Sequence, residues 1–196
     1  MFVFKAAVVG AGTMGGEIAQ VIASAGIPVV LKDVKPEFVE LGLKKAREVT
    51  GAQLANLVNK QKITQEQADA QAAEILGRIH GTTEYEGFGD VDFVIEAVPE
   101  RMAIKQAVFA ELDALTPGHA ILASNTSSLS ISEMADATSR PDKVVGFHFF
   151  YPASMMRLVE IVEGADTSPE TMQAATTSPR RSARCRSRAA RSPGSS

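Results

Sequence analysis

His148 opens the run His148-Phe149-Phe150-Tyr151-Pro152, and Glu160 lies twelve residues later in Met156-Arg157-Leu158-Val159-Glu160-Ile161-Val162. An imidazole titrates near neutral pH and suits a general base, and a carboxylate beside it would orient the ring and stabilise its protonated form. Each residue sits in an apolar, strand-like run, so two consecutive strands could bring them together. A histidine in an aromatic run is, by default, a packed core or interface residue, and that alternative stays open on periodicity alone. Ser124-Asn125-Thr126-Ser127-Ser128 adds hydroxyl and amide donors just beyond another strand, where open α/β sheets bind ligands; its alternative is a loop with a helix cap.

A second constellation opens the chain. Gly10-x-Gly12-x-x-Gly15 follows one apolar run and starts a helical one, with Thr13 and Met14 inside the loop. In that context the first glycine makes a tight turn, the second admits a pyrophosphate, and the third lets helix and strand pack closely. The helix then offers free N–H groups to phosphates. Asp33 closes the next strand eighteen residues after Gly15, where a carboxylate accepts from ribose hydroxyls and repels a 2′-phosphate. No arginine follows it, so NAD is favoured over NADP; a solvated loop acid or a helix cap is the plainer alternative for Asp33.

The elements that must position these residues read as an alternation. Strands are expected over 3–9, 27–31, 78–82, 91–97, 120–124, 143–149 and 157–162. Helices are expected over 14–25, from Pro36 for about twenty residues, from the Thr64/Gln67 capping box through Ile75, over 102–115, over 131–137 and from Pro169 to Thr176. The fold class is α/β, a Rossmann-like, mostly parallel sheet with a helical arm after the second strand and one of the last two strands antiparallel.

The chain of 196 residues carries a formal charge of −3, is 45% hydrophobic, and has a mean hydropathy of +0.02. That is the profile of a water-soluble protein, and no run is long enough to span a bilayer. The first ten residues lack a signal-peptide pattern, and a cytoplasmic location is expected. One cysteine, Cys185, rules out an internal disulfide framework or a cysteine metal site, and no metal is expected. Residues 178–196 hold six arginines and no acid, which leaves −9 on residues 1–177. The organisation read from this is one dinucleotide-binding domain over 1–177 and an Arg/Ser-rich tail over 178–196, without apolar periodicity and expected to be disordered. A basic arm contacting nucleic acid is the rival for the tail, disfavoured by the acidic body.

Taken in order, the Gly10 loop, Asp33, Val94-Ile95-Glu96-Ala97-Val98-Pro99-Glu100, Ala123-Ser124-Asn125-Thr126-Ser127-Ser128, His148-Phe149-Phe150 and Leu158-Val159-Glu160 resemble the NAD-binding domain of L-3-hydroxyacyl-CoA dehydrogenases. The resemblance runs from residue 3 to about residue 177. It implies oxidation of an L-3-hydroxyacyl-CoA to the 3-ketoacyl-CoA, or the reverse, in fatty-acid β-oxidation or butanoate metabolism. It implies His148 as base, Glu160 as its partner and Ser127 as a donor to the substrate oxygen, with Glu100, Lys105 and Asn125 on the cofactor. Read alone, Glu100 is a loop acid and Lys105 a solvated helix lysine. An acyl-CoA is the implied partner, with no nucleic acid or membrane.

Two departures stand out. Tyr151 replaces an asparagine that many members carry, which puts cofactor contacts from that position in doubt. After residue 177 the family continues with Gly-Lys-x-Pro-Val, then Pro-Gly-Phe and a substrate-holding asparagine, then a helical domain that dimerises and covers the substrate; none of it is present. Codons allowed for Ser182–Ser187, read one base earlier, spell Gly-Lys-Val-Pro-Val, and the same shift over 192–195 spells Pro-Gly-Phe at the family spacing. The tail is therefore expected to be an out-of-frame reading of that continuation. Starting the first strand at Met1 is expected to exclude an N-terminal hydratase. The alternatives in function are a truncated NAD-binding remnant without catalysis, and an NAD-dependent hydroxyacid dehydrogenase of the 6-phosphogluconate type, which would not explain His148 with Glu160.

Overall fold

A computed structural model of the chain describes residues 3–156, residues 158–177, and the backbone of 183–187. Short apolar runs become the strands β1 (Ala6–Val9), β2 (Val29–Lys32), β3 (Ile79–Thr82), β4 (Phe93–Glu96), β5 (Ile121–Ser124), β6 (Val144–Phe149) and β7 (Val159–Glu163), followed by β8 (Ala183–Ser187). They form one sheet in the order β3-β2-β1-β4-β5-β6-β7-β8. All neighbours are parallel except β6 and β7, which are antiparallel, as the short link between them requires. β1, β2, β4 and β5 are buried at every position, because helices cover both faces.

One face packs Val8, Leu31, Ile95, Phe147 and Ile161 against α1 (Thr13–Ser24), through Ile18 and Ala23, and against Ala175 of α6 (Pro169–Thr176). The other packs Val30, Val94 and Leu122 against Phe109 and Leu112 of α4 (Met102–Leu115) and Met134 of α5 (Ile131–Ala135). Between β2 and β3 the arm is a helix pair, α2 (Pro36–Asn59) and α3 (Gln65–Gly77), the latter opened by a reciprocal capping box between Thr64 and Gln67. The hydrophobic spacing predicts an apolar face of Phe38, Leu41, Val49, Leu54 and Leu57 on α2, but of these only Leu54 is buried in the structure; Phe38 and Leu41 are exposed, and the buried stripe is Val39, Gly42, Ala46, Thr50 and Leu54. Small residues win this face because α2 crosses α1 at backbone contact: a Cβ on Gly16 would lie 2.5 Å from the Gly42 carbonyl oxygen.

Disorder is expected over 178–196, yet residues 183–187 pair in parallel with β7, from Val159 opposite Ala183 to Glu163 opposite Ser187. The open backbone edge of β7 supplies donors and acceptors whatever the side chains are, so apolar periodicity is not required there. Residues 178–182 and 188–196, like Arg157 in the expected seventh strand, lie outside the described residues.

Candidate active site

β1 is flanked by β2 on one side and β4 on the other, so the sheet reverses its winding at the carboxyl ends of β1 and β4, the place where open α/β sheets take a ligand. The glycine loop closes that end of β1. Gly10 has φ +100°, and a Cβ there would sit 2.6 Å from the carbonyl carbon and oxygen of Ala97. A Cβ on Gly15 would lie 1.7 Å from the Gly10 oxygen, whereas one on Gly12 would meet nothing within 4 Å. The outer two glycines thus serve protein packing, and the middle one faces open space. Gly12 is also the N-cap of α1 and gives no side-chain cap, which leaves first-turn N–H groups, from Thr13 and Met14 onward, for an anion.

Asp33 follows β2 and turns to this loop. Its Oδ2 accepts from the Ala11 N–H at 2.7 Å and its Oδ1 from the Val34 N–H at 2.7 Å. It does not cap α2, whose N-cap is Lys35. Each carboxylate oxygen keeps a second lone pair for a hydroxyl. This set fits a dinucleotide: open space over Gly12, free donors on α1 and an acceptor at the end of β2.

Across the switch point lies a buried ionic cluster. Lys105 on α4 is fully buried, with Nζ 2.8 and 2.9 Å from the two oxygens of Glu96 and 3.2 Å from Glu100 Oε2. Glu96, the last residue of β4, also accepts from the Val98 N–H and the Ser124 hydroxyl, each at 2.7 Å. Glu100 accepts from the Thr126 hydroxyl and, at 3.2 Å, from the Ser127 N–H. Burial pushes the Glu100 carboxyl upward, but the Thr126 hydroxyl, the Lys105 charge and the Ser127 N–H together hold it below the ordinary carboxylate range. Lys105 is therefore not the solvated helix lysine that its sequence position suggests. Asn125 uses its side-chain carbonyl on the Phe149 N–H at 2.8 Å, tying the end of β5 to β6.

His148 and Glu160 stand directly opposite each other on β6 and β7. His148 Nδ1 lies 3.5 Å from Glu160 Oε2, an ion-pair distance just outside hydrogen-bond geometry, and both side chains are about one-fifth exposed, 20% and 23%. The imidazole also stacks at a tilt on Phe150, with centroids 4.9 Å apart. His148 is therefore a half-buried residue at the sheet end, not a core filler. Ser127 is exposed in the loop that follows β5.

The only signal of Glu96 in the sequence is an acid ending an otherwise apolar strand. Glu17 carries no such signal, yet it is 1% exposed on α1 and joins Lys45 of α2 at 3.2 Å and the Ser154 N–H at 3.3 Å. Among the described residues no cluster of three or more His, Cys, Asp or Glu could hold a metal, and no helix is long and apolar enough to cross a membrane.

A doubly wound sheet with this glycine loop, an acid after β2 and polar groups gathered at the ends of β4 to β7 defines a dinucleotide-binding domain of the dehydrogenase class. The family model "3-hydroxyacyl-CoA dehydrogenase, NAD binding domain" matches residues 5–184, and the chain belongs to that family, with NAD as its cofactor. It is 46% identical over 168 residues to the fatty acid oxidation complex subunit alpha of Pseudomonas savastanoi pv. phaseolicola, covering 86% of this chain and 22% of that protein. Among solved structures, (S)-3-hydroxybutyryl-CoA dehydrogenase from Ralstonia eutropha superimposes with a TM-score of 0.84 at 35% identity, covering 95% of this chain and 64% of the other. The 3-hydroxybutyryl-CoA dehydrogenase from Escherichia coli K12 gives 0.82 at 36% identity, covering 95% and 39%. The chain thus spans about one-fifth of the curated relative and under two-thirds of either solved neighbour.

Proposed function

We propose that this chain is the cofactor-binding part of an enzyme that oxidises an L-3-hydroxyacyl-CoA to the 3-ketoacyl-CoA, or runs the reverse reduction. The observation that carries the reading is the His148–Glu160 pair on one rung of the sheet, at the same end as the glycine loop and Asp33. Bound NAD supplies the hydride acceptor. With Nδ1 turned to Glu160, Nε2 of His148 is the nitrogen left to take the hydroxyl proton as the carbonyl forms. The Glu160 carboxylate holds the ring and stabilises the imidazolium. Ser127 donates to the substrate oxygen as it gains negative character, and Glu100, Lys105 and Asn125 shape the nicotinamide side. An acyl-CoA substrate and a cytoplasmic setting belong to the same reading.

The experiment is NADH oxidation with acetoacetyl-CoA, run beside NADH binding followed by fluorescence. Binding with turnover is the expected outcome. Binding without turnover favours the second reading, a remnant that holds the cofactor without catalysis. Absence of NADH binding would overturn both.

A further inference from the structure

With phosphates at α1 and the adenosine ribose at Asp33, the nicotinamide half of the cofactor falls past β1, over the carboxyl ends of β4 and β5. Glu96 ends β4, Ser124 ends β5, and Glu100 and Thr126 lie in the loops just beyond. Two carboxylates and one ammonium meet there, and the arrangement is not symmetrical. Lys105 Nζ lies 2.8 and 2.9 Å from the two oxygens of Glu96 and 3.2 Å from Glu100 Oε2. The Glu96–Lys105 pair is fully buried, whereas the Glu100 side chain is 39% exposed. Two carboxylates on one ammonium leave the cluster with one net negative charge, and its partly exposed carboxylate is Glu100.

We infer that Glu100, the partly exposed carboxylate of a cluster that carries one net negative charge, determines the preference of this domain for the oxidised over the reduced cofactor. Oxidised nicotinamide is a cation and reduced nicotinamide is neutral, while the adenosine, riboses and pyrophosphate are common to both. A negative charge beside the ring therefore acts on the difference between the two forms, and every shared contact cancels in the ratio of their affinities. Ionised Glu100 suits this role, since the Thr126 hydroxyl and Ser127 N–H both donate to it. The inference rests on the placement of the nicotinamide side given above.

The test measures dissociation constants for NAD+ and NADH on the full chain and on two variants, with circular dichroism as a check on folding. In Glu100→Gln, NAD+ binding weakens relative to NADH by about 3- to 10-fold. Glu96→Gln shifts the ratio in the same direction although Glu100 is untouched, because it removes the net negative charge of the cluster. Should Glu96→Gln fail to fold, Glu100→Gln decides, its side chain being partly exposed. A ratio unchanged within about twofold in folded Glu100→Gln overturns this inference alone. If the parent chain binds neither form, the underlying reading falls and takes the inference with it.

Discussion

At the scale of single residues, the chemistry divides between a group that changes protonation and groups that hold charge in place. Replacing His148 by Gln is expected to lower the turnover rate by about 10²-fold or more while NADH affinity changes by no more than about twofold, since the proposed base acts on substrate. Steady-state kinetics beside a binding titration checks this; equal losses in both would point to a packing role for the ring. Glu100 gives a prediction in pH. Its carboxyl is held below its ordinary value of 4.5 in the folded chain, so the unfolded chain binds the proton more readily. Its stabilising contribution is therefore complete above about pH 4.5 and disappears as pH falls through the lower, folded value. Melting temperatures of the parent and Glu100→Gln, compared between about pH 6 and pH 3, should converge or reverse toward acid; a constant offset would contradict the assignment. These residues were unequally visible in the sequence. Gly10, Gly12, Gly15 and Asp33 are legible because backbone geometry demands those types at that spacing. The burial of Lys105 is not, because a lysine on an amphipathic helix looks the same whether its head meets water or two carboxylates.

At the scale of elements, α1 and α2 come to backbone contact at Gly16 and Gly42, beside the Glu17–Lys45 ion pair. A Cβ on Gly42 would lie 2.6 Å from the Ala11 carbonyl oxygen, inside the dinucleotide loop. Gly42→Ala is expected to cost about 1–3 kcal/mol by urea unfolding and to weaken NADH binding as well, since relief of the clash displaces the loop. Loss of stability without any change in binding would show that α2 alone gives way. The alternation of helices and strands could be read from hydrophobic period, and α4 has the bounds its period suggests. The face of α2 could not, because a stripe of Val39, Gly42, Ala46 and Thr50 is too small and mixed to signal burial against another backbone. β8 was equally illegible: it is recruited by the edge of β7, a partner that exists only once the sheet has formed.

At the scale of the whole molecule, the acidic body and the arginine-rich end remain the clearest division. The reading of residues 178–196 as a shifted frame is settled by sequencing the gene through the junction. A small insertion or deletion that restores Gly-Lys-Val-Pro-Val and Pro-Gly-Phe is expected, and its absence would refute the idea. A chain that binds NADH yet does not oxidise it with acetoacetyl-CoA, and gains turnover once the frame is restored, would place the missing function in the restored part.

The antiparallel join of β6 and β7 has a consequence for how such a site can diversify. His148 and Glu160 face each other across a single ladder rung, so their spacing is a property of strand pairing and not of the connection that carries Tyr151, Met155 and Met156 into solvent. The rim can lengthen, shorten or change character over generations while the proposed proton-handling couple stays in register.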